Sequence, residues 1–221
     1  MRATLSTAVL LAALALPLAA QDSTAHSHDD PDHPAAGGGA MPAGWSVRAD
    51  RGDASGAAVS QEQGGLHVVT GPAIILYRAD KSAKGPFHTL ATFTQTKPST
   101  HAEGYGLFFG GKSLEGKDQQ YTYFLIRQDG SYLIKRREGE KTTDVSKGWV
   151  TSVAVKKAGA DGSATNLLEV DHKQDPSKFR FLVNGQEVYS ADAKTIQADG
   201  DVGLRVNHNL DVRVEGFDVH R

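Results

Sequence analysis

Apolar and polar residues alternate along most of the chain after Trp45, in short runs separated by glycine and aspartate. A period of two is typical of strands that bury one face. Many short strands separated by turn residues are typical of an all-β sandwich or barrel. The predicted strands are residues 66–69, 73–78, 88–95, 105–109, 121–127, 132–137, 150–156, 167–171, 179–183, 187–190, 202–206 and 212–219. The sequence therefore predicts a single all-β domain, a sandwich or a barrel, over residues 45–221.

The segment 121–138 consists of two alternating runs joined by Asp129-Gly130. An Asp-Gly pair between such runs is a strong indication of a hairpin with a two-residue turn. This turn would pair Tyr123 with Arg136, and paired residues point to the same face. One face would then be apolar. The other would carry the side chains of Tyr121, Tyr123, Arg127, Tyr132 and Arg136.

This tyrosine- and arginine-rich face is the first candidate ligand site. Aromatic faces stack on sugar rings, and guanidinium groups are planar donors for hydroxyls or carboxylates. Alternatively, the tyrosines lie at the edge of the core and the arginines pair with acids on a solvated sheet. The hypothesis of a shared ligand face requires Tyr123 and Arg136 to lie on the same side of the sheet.

Polar residues also follow the predicted strand 202–206. Arg205, Asn207 and His208 lie on its outward side or just beyond its end, and they would extend the ligand face. Turn formation is the alternative, because asparagine tolerates left-handed backbone geometry.

Earlier in the chain, His101 and Glu103 have the chemistry of an acid–base pair, but such residues are common in polar loops.

Two further patterns predict backbone geometry. Asn184-Gly185 predicts a second hairpin, in which Phe181 pairs with Val188 and Tyr189 faces solvent. Near the end of the chain, Phe217 and Val219 have the opposite parity to the preceding valines. A β-bulge at Gly216 would return them to the core, because a bulge inserts one residue into a strand.

Residues 1–20 have the layout of a secretory signal peptide, with a basic start, an apolar run and a small-residue exit. The run is shorter than the roughly 20 residues of a membrane-spanning helix. We therefore expect an exported protein, periplasmic or extracellular. Residues 21–44 contain almost no apolar residues and predict a flexible linker.

Within the predicted linker, His26, His28 and His33 lie among aspartates. Imidazole and carboxylate groups at this density are candidate ligands for zinc, copper or nickel. A solvated acidic linker with incidental histidines is the alternative.

Composition narrows the function classes. The chain has no cysteine, which excludes disulfides, thiolate metal sites and a catalytic thiol. Acidic residues number 26 and basic residues 24, so nothing indicates electrostatic binding to nucleic acid or to an anionic membrane. No cofactor is expected. The Asp-Gly loops leave calcium open, but none has the ligand density of a dedicated site.

The order of these patterns resembles the concanavalin A-like lectin and glucanase superfamily. The residues that carry the resemblance are YGLFFGG (105–111), the first hairpin, GWVTSVAV (148–155), NLLEV (166–170), FRFLVNGQEVY (179–189) and GDVGLRVNHNLDVRVEGFDV (200–219). Laminin-G-like and 3-keto-disaccharide hydrolase-like domains are the most similar members. The resemblance spans about residues 45–219. It implies a jelly-roll of two curved antiparallel sheets, with a concave face that binds ligand in many relatives.

Glycosidases of this superfamily place a Glu-x-Asp-x-Glu motif on one strand, so that alternation turns all three carboxylates into the cleft. No predicted strand has this spacing. Three hypotheses remain: an exported, non-catalytic module that binds carbohydrate or another polar cell-envelope ligand, a hydrolase acting on a modified (3-keto) glycoside, and a tethered adhesion or scaffold domain with a protein partner.

Overall fold

The computed structural model describes residues 32–35, 40–62 and 64–221. Among them are fifteen strands and one short 3-10 helix, Ala193–Thr195. The strands are β1 Ser46–Ala49, β2 Ala58–Glu62, β3 Gly65–Val69, β4 Ile74–Ala83, β5 His88–Gln95, β6 Gly104–Lys112, β7 Gln120–Arg127, β8 Ser131–Glu138, β9 Lys141–Asp144, β10 Val150–Thr151, β11 Ala164–Asp171, β12 Lys178–Val183, β13 Gln186–Asp192, β14 Gly200–Val206 and β15 Asp211–His220. The predicted signal peptide, His26 and His28 lie outside the described residues.

The strands form two antiparallel sheets. The eight-stranded sheet has the order β1-β4-β14-β6-β7-β8-β10, with β9 paired to β8. The seven-stranded sheet has the order β13-β12-β11-β5-β15-β3-β2. The predicted all-β, two-sheet sandwich is therefore confirmed. Neighbours within a sheet are often distant in sequence, as for β14 between β4 and β6.

The core lies between the two sheets and is filled by inward-pointing side chains from both. Along β5 and β11 every second residue is buried, as alternation requires. Phenylalanines pack across the core: the ring centres of Phe109 and Phe179 are 5.4 Å apart, as are those of Phe124 and Phe181. All four are fully buried. Burial of each ring stabilises the folded state by about 2 kcal/mol.

The second hairpin forms with one change of register. Both residues of its turn, 184–185, have positive φ, as a type I′ turn requires. A bulge after Phe181 then shifts the pairing, so that Phe181 lies opposite Tyr189 rather than Val188. The prediction that Tyr189 faces solvent is wrong: its ring centre lies 6.0 Å from that of Phe181, and its hydroxyl donates to Val145 O at 2.8 Å.

The bulge predicted at Gly216 is confirmed. The register of β15 against β5 shifts between Glu215 and Asp218, and Gly216 has a φ of 63°, in the region that favours glycine. Phe217 consequently packs against the core and lies 5.8 Å from Trp45, ring centre to ring centre.

The register predicted for the first hairpin is wrong by one residue. Tyr123 pairs with Lys135, not with Arg136. The loop spans three residues, 128–130, because Gly130 alone adopts positive φ (86°) there, whereas a two-residue type I′ turn needs two such residues. A three-residue loop of this kind combines a type I turn with a bulge at the glycine.

The shift reverses the faces of β8. Tyr132 and Arg136 point toward the seven-stranded sheet, opposite to Tyr123. Tyr132 is 5% exposed, and its hydroxyl donates to Val188 O at 2.8 Å. Leu133, Lys135 and Arg137 occupy the outer face in their place.

The described part of the predicted linker contacts the domain. The amide of His33 donates to Asn209 Oδ1 at 2.7 Å, and that of Ala35 to Gly56 O at 2.9 Å. The compact unit that holds the fold begins at Asp32. In the described ranges there is no helix of the length and apolarity that a membrane span requires.

Candidate ligand-binding groove

The candidate site is the outer face of the eight-stranded sheet, which points away from the second sheet. Asp50 follows β1 at one edge, and Arg137 lies in β8, five strands further across. In a flat sheet these strands would be about 24 Å apart, at about 4.8 Å per step, which the two side chains cannot bridge. Asp50 Oδ2 nevertheless lies 2.9 Å from Arg137 Nη1. The sheet therefore curls around this face and forms a concave groove.

Arg205, in β14, occupies the centre of the groove. Its Nη1 and Nη2 donate to the two carboxylate oxygens of Asp50 at 2.9 and 2.6 Å. Nη1 also donates to the Tyr121 hydroxyl at 2.9 Å, and the guanidinium carbon lies 4.9 Å from the centre of the Tyr123 ring. Bidentate contact with a carboxylate fixes the guanidinium plane, so the position of Arg205 is well defined.

Burial and charge have opposite effects on this network. Burial by itself raises the pKa of Asp50, but the charges and hydrogen bonds of Arg205 and Arg137 outweigh it and hold the pKa well below its usual value. Burial by itself lowers the pKa of Arg205, and the Asp50 carboxylate raises it well above its usual value. Burial raises the pKa of Tyr123 to about 12. At neutral pH, Asp50 and Arg205 are charged and Tyr123 is neutral.

The aromatic side chains of the groove are covered by arginine. A second hydrophobic cluster on this face consists of Ile75, Tyr77, Phe108, Leu114, Tyr121, Tyr123, Leu125 and Leu133. Tyr121 is 2% exposed and Tyr123 6%. Trp149 packs against the cluster, and the Arg127 guanidinium lies over its indole at 4.4 Å. The groove therefore has an aromatic floor beneath a lining of guanidinium groups.

Three buried polar atoms of the groove have no hydrogen-bond partner among the described residues: Nε of Arg127, Nε of Arg205 and Oδ1 of Asn207. Buried polar groups are nearly always paired, and an unpaired one costs about 1–3 kcal/mol. Two of the atoms are donors and one is an acceptor. A water or ligand that pairs with all three must accept hydrogen bonds from the two arginine nitrogens and donate one to the asparagine oxygen.

A carboxylate and an imidazole lie together at the end of the groove near Arg127. Glu103 Oε1 is 3.4 Å from His208 Nε2, and Glu103 Oε2 accepts a hydrogen bond from Asn207 Nδ2 at 3.2 Å. Both Glu103 and His208 are partly exposed. This pair has groups suited to binding hydroxyls or to transferring a proton.

A depression of about 250 Å³ lies toward the other end of the groove. It is lined by Tyr77, Ser113, Leu114, Glu115, Gly116 and Asp201. Burial raises the pKa of Asp201. Burial, followed by the charges of Glu115 and Asp201, raises the pKa of Tyr77. The depression places hydrogen-bond acceptors beside an aromatic ring.

Six of the eight predicted ligand residues lie on the groove face: Tyr121, Tyr123, Arg127, Arg205, Asn207 and His208. Tyr132 and Arg136 point to the opposite side, because of the shifted register of β8. Asp50, Arg137 and Trp149 also belong to the groove and were not predicted from the sequence. A three-residue loop in the first hairpin would have indicated Arg137, whereas Asp50 lies in a turn-rich segment with no pattern that marks it.

A larger depression of about 340 Å³ lies at the edge of the seven-stranded sheet, between Pro176 and Lys194. None of its lining residues is aromatic, so it lacks the apolar ring surface that sugar binding favours.

Within the described ranges, no group of three or more His, Asp or Glu side chains is arranged to hold a metal. The histidine site predicted around His26, His28 and His33 lies mostly outside these ranges and stays a prediction.

Comparison with known proteins gives matches in structure only. Neither protein-family models nor curated protein sequences match the chain. The carbohydrate-binding module CBM66 from Bacillus subtilis is similar with a TM-score of 0.58 and 11% identity, over 80% of this chain and 96% of that one. A Bacillus subtilis protein of unknown function with a galectin-like fold gives 0.53 and 11%, over 80% and 88%. The metal-free carbohydrate recognition domain of Emp46p gives 0.51 and 12%, over 80% and 88%.

These similarities establish the fold. The chain folds as a jelly-roll of two antiparallel sheets similar to that of these lectin-type domains, which is the fold that the sequence resemblance implied. Identities of 11–12% carry no binding residue over to this chain, since one fold hosts many functions.

Proposed function

We propose that this protein is an exported, non-catalytic module that binds carbohydrate, or a related polar cell-envelope ligand, in the groove of its eight-stranded sheet. The observation that carries the proposal is the convergence of Arg205, Asp50, Arg137 and Tyr121 on one concave face, supplied by strands and loops distant in sequence. Polar groups gathered in a concavity are typical of a ligand site.

The chemistry of the groove suits a polyhydroxylated ligand. Sugar hydroxyls both donate and accept hydrogen bonds, and the unpaired atoms of Arg127, Arg205 and Asn207 include both donors and an acceptor. Toward the other end, the Asp201 carboxylate lies beside Tyr77 in the 250 Å³ depression. Aromatic and polar groups side by side favour a ring with one apolar face.

The similar structures support this ligand class. Two of the solved structures most similar to the chain are by name a carbohydrate-binding module and a carbohydrate recognition domain. The apolar N-terminal run supports export to the periplasm or the cell exterior, where carbohydrate polymers are accessible.

A glycan array probed with the wild-type protein tests the proposal. An Asp201→Asn, Glu115→Gln variant should bind its glycan at least about tenfold more weakly, since a hydrogen bond to a charged group contributes about 1.5–3 kcal/mol. Glu187→Gln, at the edge of the other sheet, is the matched control and should bind like the wild type. Equal binding by all three proteins, or no glycan retained by the wild type, would contradict the proposal.

The pair formed by Glu103 and His208 favours a second candidate, a hydrolase acting on a modified glycoside such as a 3-keto disaccharide. The two side chains lie 3.4 Å apart and are partly exposed in the groove, so a bound substrate can come within the hydrogen-bond reach that a general acid or base needs. Turnover of 3-keto or ordinary disaccharides that is lost in both Glu103→Gln and His208→Ala, but kept in His88→Ala, would establish this function. Binding without turnover would leave the non-catalytic module.

A further inference from the structure

The arginine pair at the centre of the groove has the form of a carboxylate receptor. Arg205 comes from β14 and Arg137 from β8, and both are almost completely buried, at 5% and 9% exposure. Both direct guanidinium nitrogens at the same carboxylate, that of Asp50, at 2.6–2.9 Å. The receptor groups are therefore held on regular strands, which is where a binding site is most rigid.

The acceptors present do not use all the donors of this receptor. Each guanidinium has five N–H donors and no acceptor. Arg205 makes three contacts, two to Asp50 and one to Tyr121, and its Nε is buried with no hydrogen-bond partner in the part of the chain that the structure describes. Two positive charges face one negative charge. A ligand that carries hydroxyl oxygens beside its carboxylate would pair with more of these N–H donors than Asp50 does.

Asp50 lies on the solvent side of the pair. Its side chain is 23% exposed, whereas those of Arg205 and Arg137 are almost completely buried. It belongs to the turn-rich segment between β1 and β2, and its backbone is fixed by a hydrogen bond from its amide to Ala73 O at 2.9 Å. The Asp50 side chain lies outside the strands and is the most exposed part of this network, so it is the part that can move without a change in the sheet.

We infer that the groove selects acidic sugars, and that the carboxylate of a uronic acid residue takes the place of the Asp50 carboxylate between Arg205 and Arg137. The inference rests on the proposed function and specifies its ligand class. Guanidinium and carboxylate match as planar, two-point partners, so the C6 carboxylate of a uronate can repeat the contacts of Asp50. The ring hydroxyls then meet the remaining polar groups of the groove.

Under this inference, Asp50 lowers the apparent affinity of the wild-type protein. A ligand that needs a site occupied by the protein's own carboxylate binds only the fraction of molecules in which that carboxylate has moved away. Removing Asp50 should therefore strengthen the binding of acidic sugars. Neutral sugars should show no such gain, since these do not require the space between the guanidinium groups.

The test uses glycan pairs that differ only at C6, glucose with glucuronate and galactose with galacturonate oligosaccharides, titrated by calorimetry. Asp50→Ala should bind the uronate member of a pair at least about tenfold more tightly than the wild type does. The neutral member should not bind more tightly. A gain that is absent, or equal for both members, overturns the inference.

Asp50→Asn, which keeps the shape of the side chain, replaces Asp50→Ala if the latter does not fold. If neither folds, Arg137→Gln is compared with Arg213→Gln, which alters an exposed arginine of the other sheet. Uronate binding must then fall only in Arg137→Gln, and equal binding overturns the inference. Wild-type protein that retains neutral but no acidic glycans refutes the uronate inference alone, whereas protein that retains no glycan refutes the proposed function as well.

Discussion

The stability of the sandwich at low pH should depend on Asp211, at the start of β15. Asp211 Oδ1 lies 2.7 Å from His67 Nε2 and accepts from the hydroxyl of Thr96. Its other oxygen, Oδ2, is 2.7 Å from Lys97 Nζ. The side chain of Asp211 is 9% exposed, so the contacts are little screened by water. Replacement by asparagine removes the charge and keeps the shape.

The effect follows from the pKa of Asp211. Burial by itself raises this pKa, but hydrogen bonds from Lys97, Thr96 and His67 lower it from 3.8 to about 2. One pKa unit corresponds to about 1.4 kcal/mol, so the shift contributes about 2 kcal/mol to stability. Because the pKa is lower in the folded state, the contribution is complete above about pH 4 and is lost as the pH falls toward 2.

Urea unfolding of the wild type and Asp211→Asn at pH 6, 4 and 3 measures this contribution. The difference in unfolding free energy should be about 2 kcal/mol at pH 6 and about 1 kcal/mol smaller at pH 3. Asp118→Asn, at an exposed aspartate, should differ little from the wild type throughout. A difference for Asp211→Asn that stays constant from pH 6 to pH 3 would refute the reasoning, because it would arise from packing and not from ionisation.

Three further predictions concern the fold and the groove, each measured by urea unfolding. Phe109→Ala should cost about 3–5 kcal/mol, because the ring is fully buried between the sheets. Gly216→Ala should cost about 1–2 kcal/mol, since alanine is strained at a φ of 63° although nothing crowds its side chain. Tyr132→Phe should cost about 1 kcal/mol by loss of the hydrogen bond to Val188 O, with glycan binding unchanged because this hydroxyl points away from the groove.

Features that depend on local residue patterns were predictable from the sequence. Alternation located most of the strands, because burial of one face imposes a period of two. The bulge at Gly216 followed from a change of parity that could otherwise expose Phe217. The short strands β1, β2 and β9 were missed. They contain few apolar residues, and pairing at a sheet edge, rather than their own pattern, holds them.

The register of the first hairpin was not predictable, since the sequence Gln128-Asp129-Gly130 suits two kinds of turn. A two-residue turn needs positive φ at both central residues, and a three-residue turn needs it only at the glycine. In the structure, Asp129 Oδ1 accepts from the amide of Ser131 at 3.1 Å, and its Oδ2 lies 2.7 Å from Arg127 Nη2. These contacts stabilise the three-residue form, and they depend on side-chain positions that no alternation pattern contains.

The shift of one residue in register decides which arginine side chain lies in the groove. With a two-residue turn, Arg136 would lie beside the tyrosines, whereas the three-residue turn places Arg137 there and turns Arg136 to the opposite face. The two residues are identical in chemistry, so tyrosines and an arginine still share the groove face, although the predicted face, which required Tyr123 and Arg136 on one side, does not form. Arg137 makes a contact that the sequence could not reveal, because Asp50 is 87 residues away and reaches it only through the curl of the sheet. The chemistry of the groove is thus local in origin, whereas the pairing of its charges is a product of the whole fold.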